Sequence, residues 1–157
     1  MIGSSVVLRY RMAARAKPSR QRQLVRDSDY RALSDFRQNI HDYLDFSDHA
    51  AKAAGLEPRQ YQLMLAIKGL PLEIEPSVGT LATRLRVRHH SAVELIDRTE
   101  RNGFVARERS ASGRHVLVQL TPKGSETLER AVAARLEELQ SAGPVLVNAL
   151  RRLLRSK

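Results

Sequence analysis

The chain has 157 residues, 42% of them apolar and 4% aromatic, which is enough for one globular domain with a hydrophobic core. It contains no cysteine, which excludes disulfides, thiolate metal sites, iron–sulfur clusters and thiol-based redox sensing. A formal net charge of +10 favours an acidic partner. Because no apolar run is long enough for a transmembrane helix or a secretory signal, we expect a cytoplasmic protein.

The chain begins with a basic segment. Residues 1–26 contain seven Lys or Arg and no acid, so they carry +7 of the net charge. They show no sustained apolar period and include Lys17-Pro18-Ser19. We therefore predict a flexible basic arm over residues 1–27 and a single domain over 28–157. Because the arm lacks a strong apolar face, we expect no membrane binding. Whether the arm contacts the acidic partner stays open.

Two amphipathic helices are predicted next. Apolar residues from Leu33 to Ala51 recur at helical spacing until Gly55, which predicts a helix over about 29–54. Pro58 then opens a second helix, which Gly69 ends.

The centre of the chain has the spacing of a helix-turn-helix. Ser77 is a good N-cap for a short helix that ends near Leu85, and Val87 is the apolar residue of the following turn. A second helix follows, and Gly103 terminates it because glycine adopts positive φ easily. The predicted inner face of this second helix consists of Ala92, Leu95, Ile96 and Thr99.

A β-hairpin and long helices complete the pattern. Residues 104–109 and 115–120 alternate as two strands around a loop of small residues, so the helix-turn-helix and hairpin form a winged helix over about 58–121. Thr121 and Pro122 start a long helix through Gln140, and Pro144 begins a last helix with an apolar stripe. We predict a mostly α-helical fold with a small β-hairpin wing (α+β), and dimerisation helices over about 29–54 and 122–155.

Residues 61–124 resemble the MarR family of bacterial transcription regulators. The resemblance lies in VGTLATRLRVRHHSAVELIDRTERNGFVARER and RHVLVQLTPKG. Arg114, Val118, Leu120 and Thr121 match the family's wing pattern, whereas Ser112 stands where the family has an acid. The resemblance implies a homodimer that places a recognition helix in the major groove and a wing over the minor groove, often released by a small ligand.

His89 and His90 lie at the start of the predicted recognition helix. Neighbouring helical residues do not face each other, so the pair cannot jointly chelate a metal ion, and no nucleophile stands beside them for base catalysis. They either contact DNA, which we favour, or belong to a solvated turn. Ser91 is either an N-cap or a phosphate contact, and Glu94 either accepts from cytosine N4, pairs with Arg98 or is solvated.

Arg114 suits the electronegative minor groove of A·T-rich DNA because it lies on a flexible basic hairpin tip. Other arginines are expected to contact phosphates, with some paired internally to Asp97 or Glu108. The full set of predicted DNA-binding residues is Arg86, Arg88, His89, His90, Ser91, Glu94, Arg98, Arg101, Arg109 and Arg114.

Ligand sites are less clearly indicated. His41, Asp45 and His49 have a spacing able to hold a metal, but they turn away from the apolar stripe, so we predict a solvated face and no metal or cofactor. A pocket for an aromatic acid or phenol is predicted from Tyr30, His41, Tyr43 and Tyr61. The expected function is a homodimeric repressor that binds a pseudo-palindromic DNA operator in the nucleoid. The alternative is an architectural DNA binder without a ligand switch; an enzyme is not expected.

Overall fold

A computed structural model of the chain describes residues 25–110, 113 and 116–155. The predicted basic arm, apart from its last three residues, lies outside this part of the chain, as does most of the hairpin tip. The elements in chain order are α1 (Asp27–Ala53), α2 (Pro58–Lys68), α3 (Val78–Leu85), α4 (His89–Arg101), β1 (Val105–Arg109), β2 (Val116–Leu120) and α5 (Pro122–Arg155). The predicted fold class, mostly α-helical with a two-stranded wing, is confirmed.

The first two helices begin at caps and end at glycines. Helix α1 starts two residues earlier than expected, because the Asp29 carboxylate accepts a hydrogen bond of 3.0 Å from the Arg26 amide. Gly55, with φ of +80°, ends it. Helix α2 starts at Pro58, and the Gln60 side chain accepts a 3.2 Å bond from the Glu57 amide. Pro58 fits this first position because it has no amide hydrogen to satisfy.

The helix-turn-helix forms as predicted. The Ser77 hydroxyl accepts a 3.2 Å bond from the Thr80 amide and caps α3. Arg86 then adopts the left-handed conformation, with φ of +56° and ψ of +40°, and turns the chain towards α4. Ala82 and Ala92 are both buried, and their small side chains allow the two helices to pack closely.

The hairpin is joined to both the helix-turn-helix and α5. Strands β1 and β2 pair antiparallel, with Val105 opposite Leu120 and Arg109 opposite Val116. On the other side of β2, the Val118 amide donates to the Pro76 carbonyl at 3.0 Å. The Thr121 hydroxyl caps α5 by accepting from the Gly124 amide at 2.9 Å, and it donates to the Gly103 carbonyl at 2.7 Å. Thr121 therefore connects the end of the recognition helix to the start of α5.

Helix α5 runs unbroken for 34 residues, which corrects the predicted break at Pro144. A proline usually disrupts a helix through its missing N–H and its clash with the preceding residue. Here that residue is Gly143, which has no Cβ, and Pro144 itself is exposed. Gln140, whose carbonyl loses its partner, is exposed to solvent as well. Neither α5 nor any other helix within the described residues is apolar enough over sufficient length to cross a membrane.

The core lies where α2, α3, α4 and the hairpin meet the end of α1 and the start of α5. The largest fully buried apolar side chains are Leu56, Leu63, Met64, Leu81, Ile96, Val105 and Val118. By contrast, much of the apolar surface of the outer parts of α1 and α5 is exposed. The two long helices contact each other extensively and extend away from this core.

Arg135 of α5 is a buried cation that connects three helices; only 4% of its surface is exposed. Its Nε donates to the Ser47 hydroxyl at 2.8 Å, one terminal nitrogen donates to the Ala131 carbonyl at 2.6 Å, and the other to the Ser47 carbonyl. The guanidinium lies 3.5 Å from the ring centroid of Tyr61. Burial lowers the pKa of Arg135 from its usual value, and burial raises the pKa of Tyr61, although Arg135 opposes the latter change.

Replacing Gly124 with alanine tests the close approach of α5 to the hairpin. A Cβ there would overlap the carbonyl oxygen of Phe104 and lie 2.8 Å from its carbonyl carbon. Because the obstacle is backbone, we expect Gly124→Ala to lower the free energy of unfolding by about 3 kcal/mol, measured by urea denaturation.

Gly79→Ala in α3 is the matched control. Gly79 is exposed, and the nearest atom to an added Cβ is the Ser77 hydroxyl at 4.0 Å. Alanine is the better helix former, so this variant should be about 0.5–1 kcal/mol more stable than the parent. Equal stability of the two variants would show that α5 does not require glycine at the contact.

Candidate nucleic-acid interface

The recognition helix α4 has one buried and one exposed face. Its inner residues, the predicted Ala92, Leu95, Ile96 and Thr99, are all buried. The Thr99 hydroxyl is satisfied by donating to the Leu95 carbonyl at 2.7 Å. On the other face His89, His90 and Glu94 are exposed. The helix is therefore anchored along its length while its N-terminal polar side chains remain available to a partner.

Arg86 and Arg88 flank the turn that leads into α4. Both are exposed, and neither forms an ion pair with any residue in the described ranges. A non-glycine residue in the left-handed region, such as Arg86, costs of the order of 1 kcal/mol. The turn therefore presents two cationic side chains beside the N-terminus of the recognition helix.

Ser91 is not the N-cap, so that alternative is wrong. Helix α4 begins at His89 with Arg88 as its N-cap, which makes no side-chain capping bond, and Ser91 is the third helical residue. The first amides of a helix have no carbonyl partner within it. The backbone amides of His89, His90 and Ser91 therefore lack carbonyl partners within α4. They lie at its N-terminal end, where the helix dipole attracts anions.

Several other arginines have partners within the protein instead. Arg107 of β1 forms ion pairs with both Asp97 and Glu100 of α4, and its amide donates to Glu100 at 3.0 Å. The predicted partner Asp97 is confirmed. Glu100 was missed, although it lies one turn after Asp97 on the same helix face. Glu108, the other predicted partner, forms no ion pair within the part of the chain described here.

The surroundings of Arg107 explain its protonation. Burial alone would lower its pKa, but hydrogen bonds and charge interactions with Asp97 and Glu100 outweigh burial and raise it above the usual value. Arg107 therefore stays charged and attaches the first strand of the wing to the C-terminal half of the recognition helix.

Arg98 and Arg101 also have internal partners. Arg98 lies 3.5 Å from the carboxylate of Glu57, the N-cap residue of α2, so it does not form the suggested pair with Glu94. Arg101 donates to the Asp97 carbonyl at 3.4 Å. The Arg98 and Glu57 side chains are 50% and 63% exposed, so their ion pair is weak and a phosphate can replace it.

The wing offers one described cation without an ion pair to the described residues. Arg109 ends β1, is exposed, and has no ion pair within the described residues. Gly113 is exposed at the tip with φ of +69°, which suits a tight turn. Arg114 and Ser112 lie outside the described residues, so the minor-groove role of Arg114 stays a prediction.

The four residues of the predicted ligand pocket are only partly brought together. Tyr61 is buried against Arg135, and Tyr43 is close enough to influence the charges of both. Tyr30 is 64% exposed near the other end of α1, and His41 is exposed. A groove of about 520 Å³ lies elsewhere between α1 and α5. Its lining is Phe46, His49, Ala50, Ala53, Ala54, Arg130 and Ala134.

His41, Asp45 and His49 were considered as metal ligands. The His49 Nδ1 lies 2.7 Å from the Asp45 backbone carbonyl rather than its carboxylate. Within the described ranges, no group of three His, Cys, Asp or Glu side chains is arranged to hold a metal ion.

Comparisons with known proteins point to one family. The sequence model of the MarR family matches residues 54–114, which contain the helix-turn-helix and β1. A MarR family protein from Bacillus stearothermophilus has 22% identity and a TM-score of 0.65, over 83% of this chain and 96% of that one. A comparison with curated protein sequences finds no match.

Two similar structures contain nucleic acid. A mutant of MepR from S. aureus, bound to an oligodeoxyribonucleotide, has 18% identity and a TM-score of 0.62, over 81% of this chain and 96% of that one. The transcriptional regulator MosR from M. tuberculosis, in complex with DNA, has 23% identity and a TM-score of 0.52, over 74% and 88%.

The sequence match covers the segment that carries the recognition helix, and the shared fold extends over the outer helices. The chain therefore matches the MarR family model over residues 54–114 and shares the winged helix-turn-helix fold of MarR family structures.

Proposed function

We propose that this protein is a homodimeric repressor that binds a pseudo-palindromic DNA operator in the bacterial cytoplasm. The observation that carries the proposal is the exposed, polar N-terminal half of α4, flanked by Arg86 and Arg88 without internal partners in the described ranges. Residues 78–124, which contain this surface, hold nine Lys or Arg against four acids, or +5. Such a local excess of positive charge favours binding to phosphates.

Each part of the surface has its own role in this proposal. His89, His90 and Glu94 read base edges in the major groove, where imidazole and carboxylate groups meet donors and acceptors. Arg86, Arg88 and the Ser91 hydroxyl bind phosphates near the start of the helix, whereas Arg98 and Arg101 contribute charge near its end. Arg109 and Arg114 belong to the wing and approach the minor groove.

The left-handed conformation of Arg86 supports a functional use of its side chain. Glycine fits such a turn without strain, yet the chain places a long cation there. In a helix-turn-helix, the first helix crosses the DNA backbone while the recognition helix enters the major groove, so a long cation in the turn between them can reach a phosphate. The strain is therefore offset, in our proposal, by a phosphate contact.

Exposed apolar side chains on the two long helices support dimerisation. Those on α1 are Tyr30, Leu33, Ile40 and Leu44, and those on α5 are Leu136, Leu139, Val145, Val147, Leu150 and Leu154, each at least 36% exposed. A large exposed apolar surface on a folded domain is typical of a protein–protein interface. A second copy related by a two-fold axis would cover the same surface on both chains.

Release by a small ligand is part of the proposal. The groove between α1 and α5 combines the Phe46 ring, the His49 imidazole and the Arg130 guanidinium with alanines. An aromatic acid or phenol fits this mixture of apolar surface and a few polar groups. Tyr43 and Tyr61, next to Arg135, are the predicted ligand residues that lie closest to the junction of α1, α2 and α5.

Genome-wide mapping of binding sites distinguishes regulation from the architectural alternative. A regulator occupies a few discrete operators, whereas an architectural protein occupies the chromosome broadly. The operators should be inverted repeats with half-sites about one helical turn, roughly 10 bp, apart.

Leu150→Asp is expected to weaken the dimer. Leu150 is 42% exposed in the single chain. In the variant, the proposed two-fold interface would bury one aspartate from each chain. We expect the dissociation constant to rise at least 100-fold, which corresponds to about 3 kcal/mol. Sedimentation velocity over a dilution series measures it. Gln62→Asp adds the same charge at an exposed site on α2 and should leave the dimer intact; unchanged sedimentation of the Leu150 variant would contradict the proposed interface.

Arg107 and Arg109 are a matched pair on β1. Arg107→Gln removes both ion pairs to α4, so we expect a loss of about 1–2 kcal/mol in unfolding free energy and weaker operator binding through a displaced wing. Arg109→Gln should change stability by less than about 0.5 kcal/mol and flatten the salt dependence of binding by about one phosphate. Urea denaturation and fluorescence titration at several salt concentrations measure both. Equal stability and equal salt dependence of binding in the two variants would contradict the different roles assigned to Arg107 and Arg109.

His90→Ala should relax base preference at one or two major-groove positions, on the order of 1–3 kcal/mol. Arg88→Gln should instead weaken all operator sequences alike and flatten the salt slope by about one. Affinities for a panel of single-base operator variants separate these outcomes. If His90→Ala binds every sequence as the parent does, the two histidines belong to a solvated turn.

A further inference from the structure

A second surface lies away from the recognition helix. A groove of about 520 Å³ runs between the C-terminal end of α2, the connection from α2 to α3, and β2. We call it the wing-root groove. Its apolar lining is mainly Ile67, Leu70, Leu72, Ile74, Val118 and Leu120, with Lys68 and Gln119 as polar members. Nothing in the proposed contacts with DNA uses this groove.

The rim of the groove presents apolar side chains to solvent. Leu72 is fully exposed and Ile74 is 43% exposed. They lie on a turn between Pro71 and Pro76, closed by a 3.0 Å bond from the Ile74 amide to the Pro71 carbonyl. The two prolines restrict this turn, so it cannot simply fold its apolar residues inward. An occupant of the groove would remove this surface from water.

The same turn is acidic in an otherwise basic protein. Glu73 and Glu75 alternate with Leu72 and Ile74, are exposed, and form no ion pair with any residue in 25–110, 113 or 116–155. Two carboxylates repel DNA phosphates and acidic partners. The surface therefore fits an occupant that is apolar and basic at the same time.

The chain itself contains such a segment. Residues 6–12 read VVLRYRM, in which apolar residues alternate with Arg9 and Arg11. The turn reads LEIE over residues 72–75, with the opposite charge at the alternate positions. We propose that residues 6–12 of the N-terminal arm dock on the wing-root groove, with Leu8, Tyr10 and Met12 covering its apolar rim and the two arginines pairing with Glu73 and Glu75.

The length of the arm allows this contact. Residues 13–24 connect the docking segment to the first described residue and span up to about 40 Å when extended. Helix α1 has 27 residues, so it is about 40 Å long. The segment can therefore return along α1 to the winged helix, in its own subunit or in the partner of a dimer. The basic residues from Arg15 to Arg22 remain outside the contact.

Disulfide trapping tests the proposal directly, since the chain has no cysteine of its own. Tyr10→Cys combined with Ile74→Cys places one thiol on each side of the contact in the full-length protein. Tyr10→Cys with Glu137→Cys is the control, because Glu137 is another exposed acidic position, on α5. Docking should make the first pair oxidise at least tenfold faster than the control, at a rate independent of protein concentration.

Charge reversal tests the ionic part. Arg9→Glu with Arg11→Glu should reduce the fast crosslinking to the control rate, and adding Glu73→Arg with Glu75→Arg should restore it. Circular dichroism and thermal melting verify that each variant is folded. Equal rates for the Ile74 and Glu137 pairs would overturn the proposal. A rate that still rises with protein concentration once sedimentation shows the protein to be fully dimeric would also overturn it, since the occupant would then come from outside the dimer.

DNA is the alternative binding partner of the arm, and crosslinking in the presence of DNA tests it. Mixed-sequence duplex DNA offers phosphates to all seven basic residues of the arm. If the arm is bound to its groove, the variant that combines Tyr10→Cys with Ile74→Cys should crosslink equally fast with and without duplex at moderate salt. Slow crosslinking in both conditions, with DNA protecting the arm from trypsin, would assign the arm to DNA and reject the groove.

Discussion

The guanidinium of Arg135 is the interaction on which the arrangement of the long helices depends. It belongs to α5, donates twice to Ser47 of α1, and stacks on Tyr61 of α2. A buried cation is costly unless its donors are satisfied, and here backbone carbonyls, a hydroxyl and an aromatic face satisfy them. Any rotation of α1 or α5 relative to α2 would expose the charge or leave it unpaired. The outer helices and the winged helix therefore move together or not at all.

The arginines near the proposed DNA-binding surface fall into two groups, those that pair within the protein and those that do not. Arg107 is committed to Asp97 and Glu100 and fixes the wing to the recognition helix. Arg86, Arg88 and Arg109 have no such commitment within the described residues. Their charge is therefore solvated in the free protein, and the release of counterions from DNA would contribute to the proposed binding. Net charge alone does not separate the two groups; only the partners of each arginine do.

The proposed dimer and the proposed release by a ligand depend on the same helices. The exposed apolar residues of α1 and α5 lie beyond the core that holds the winged helix, so the spacing of two recognition helices is set by how two copies pack there. The groove beside Phe46 and Arg130 lies between these two helices. In the proposed mechanism, a ligand bound there shifts α1 and α5 as one unit with the winged helix, because Arg135 joins them, and so changes the distance between the two recognition helices of the dimer.

The sequence by itself determined the elements whose signals are local. The caps at Ser77 and Thr121, the glycine at position 103 and the apolar period of α4 predicted the helix-turn-helix and its exposed histidines, because these features act within one or two turns of backbone. Tertiary structure decided what depends on contacts between distant residues. It carried α5 through Pro144, and it paired Arg98 with Glu57 and Arg107 with Glu100. It also brought Tyr43 and Tyr61 to Arg135 but left Tyr30 exposed, since only the packing of α1 against α2 and α5 determines which face of a long helix is covered.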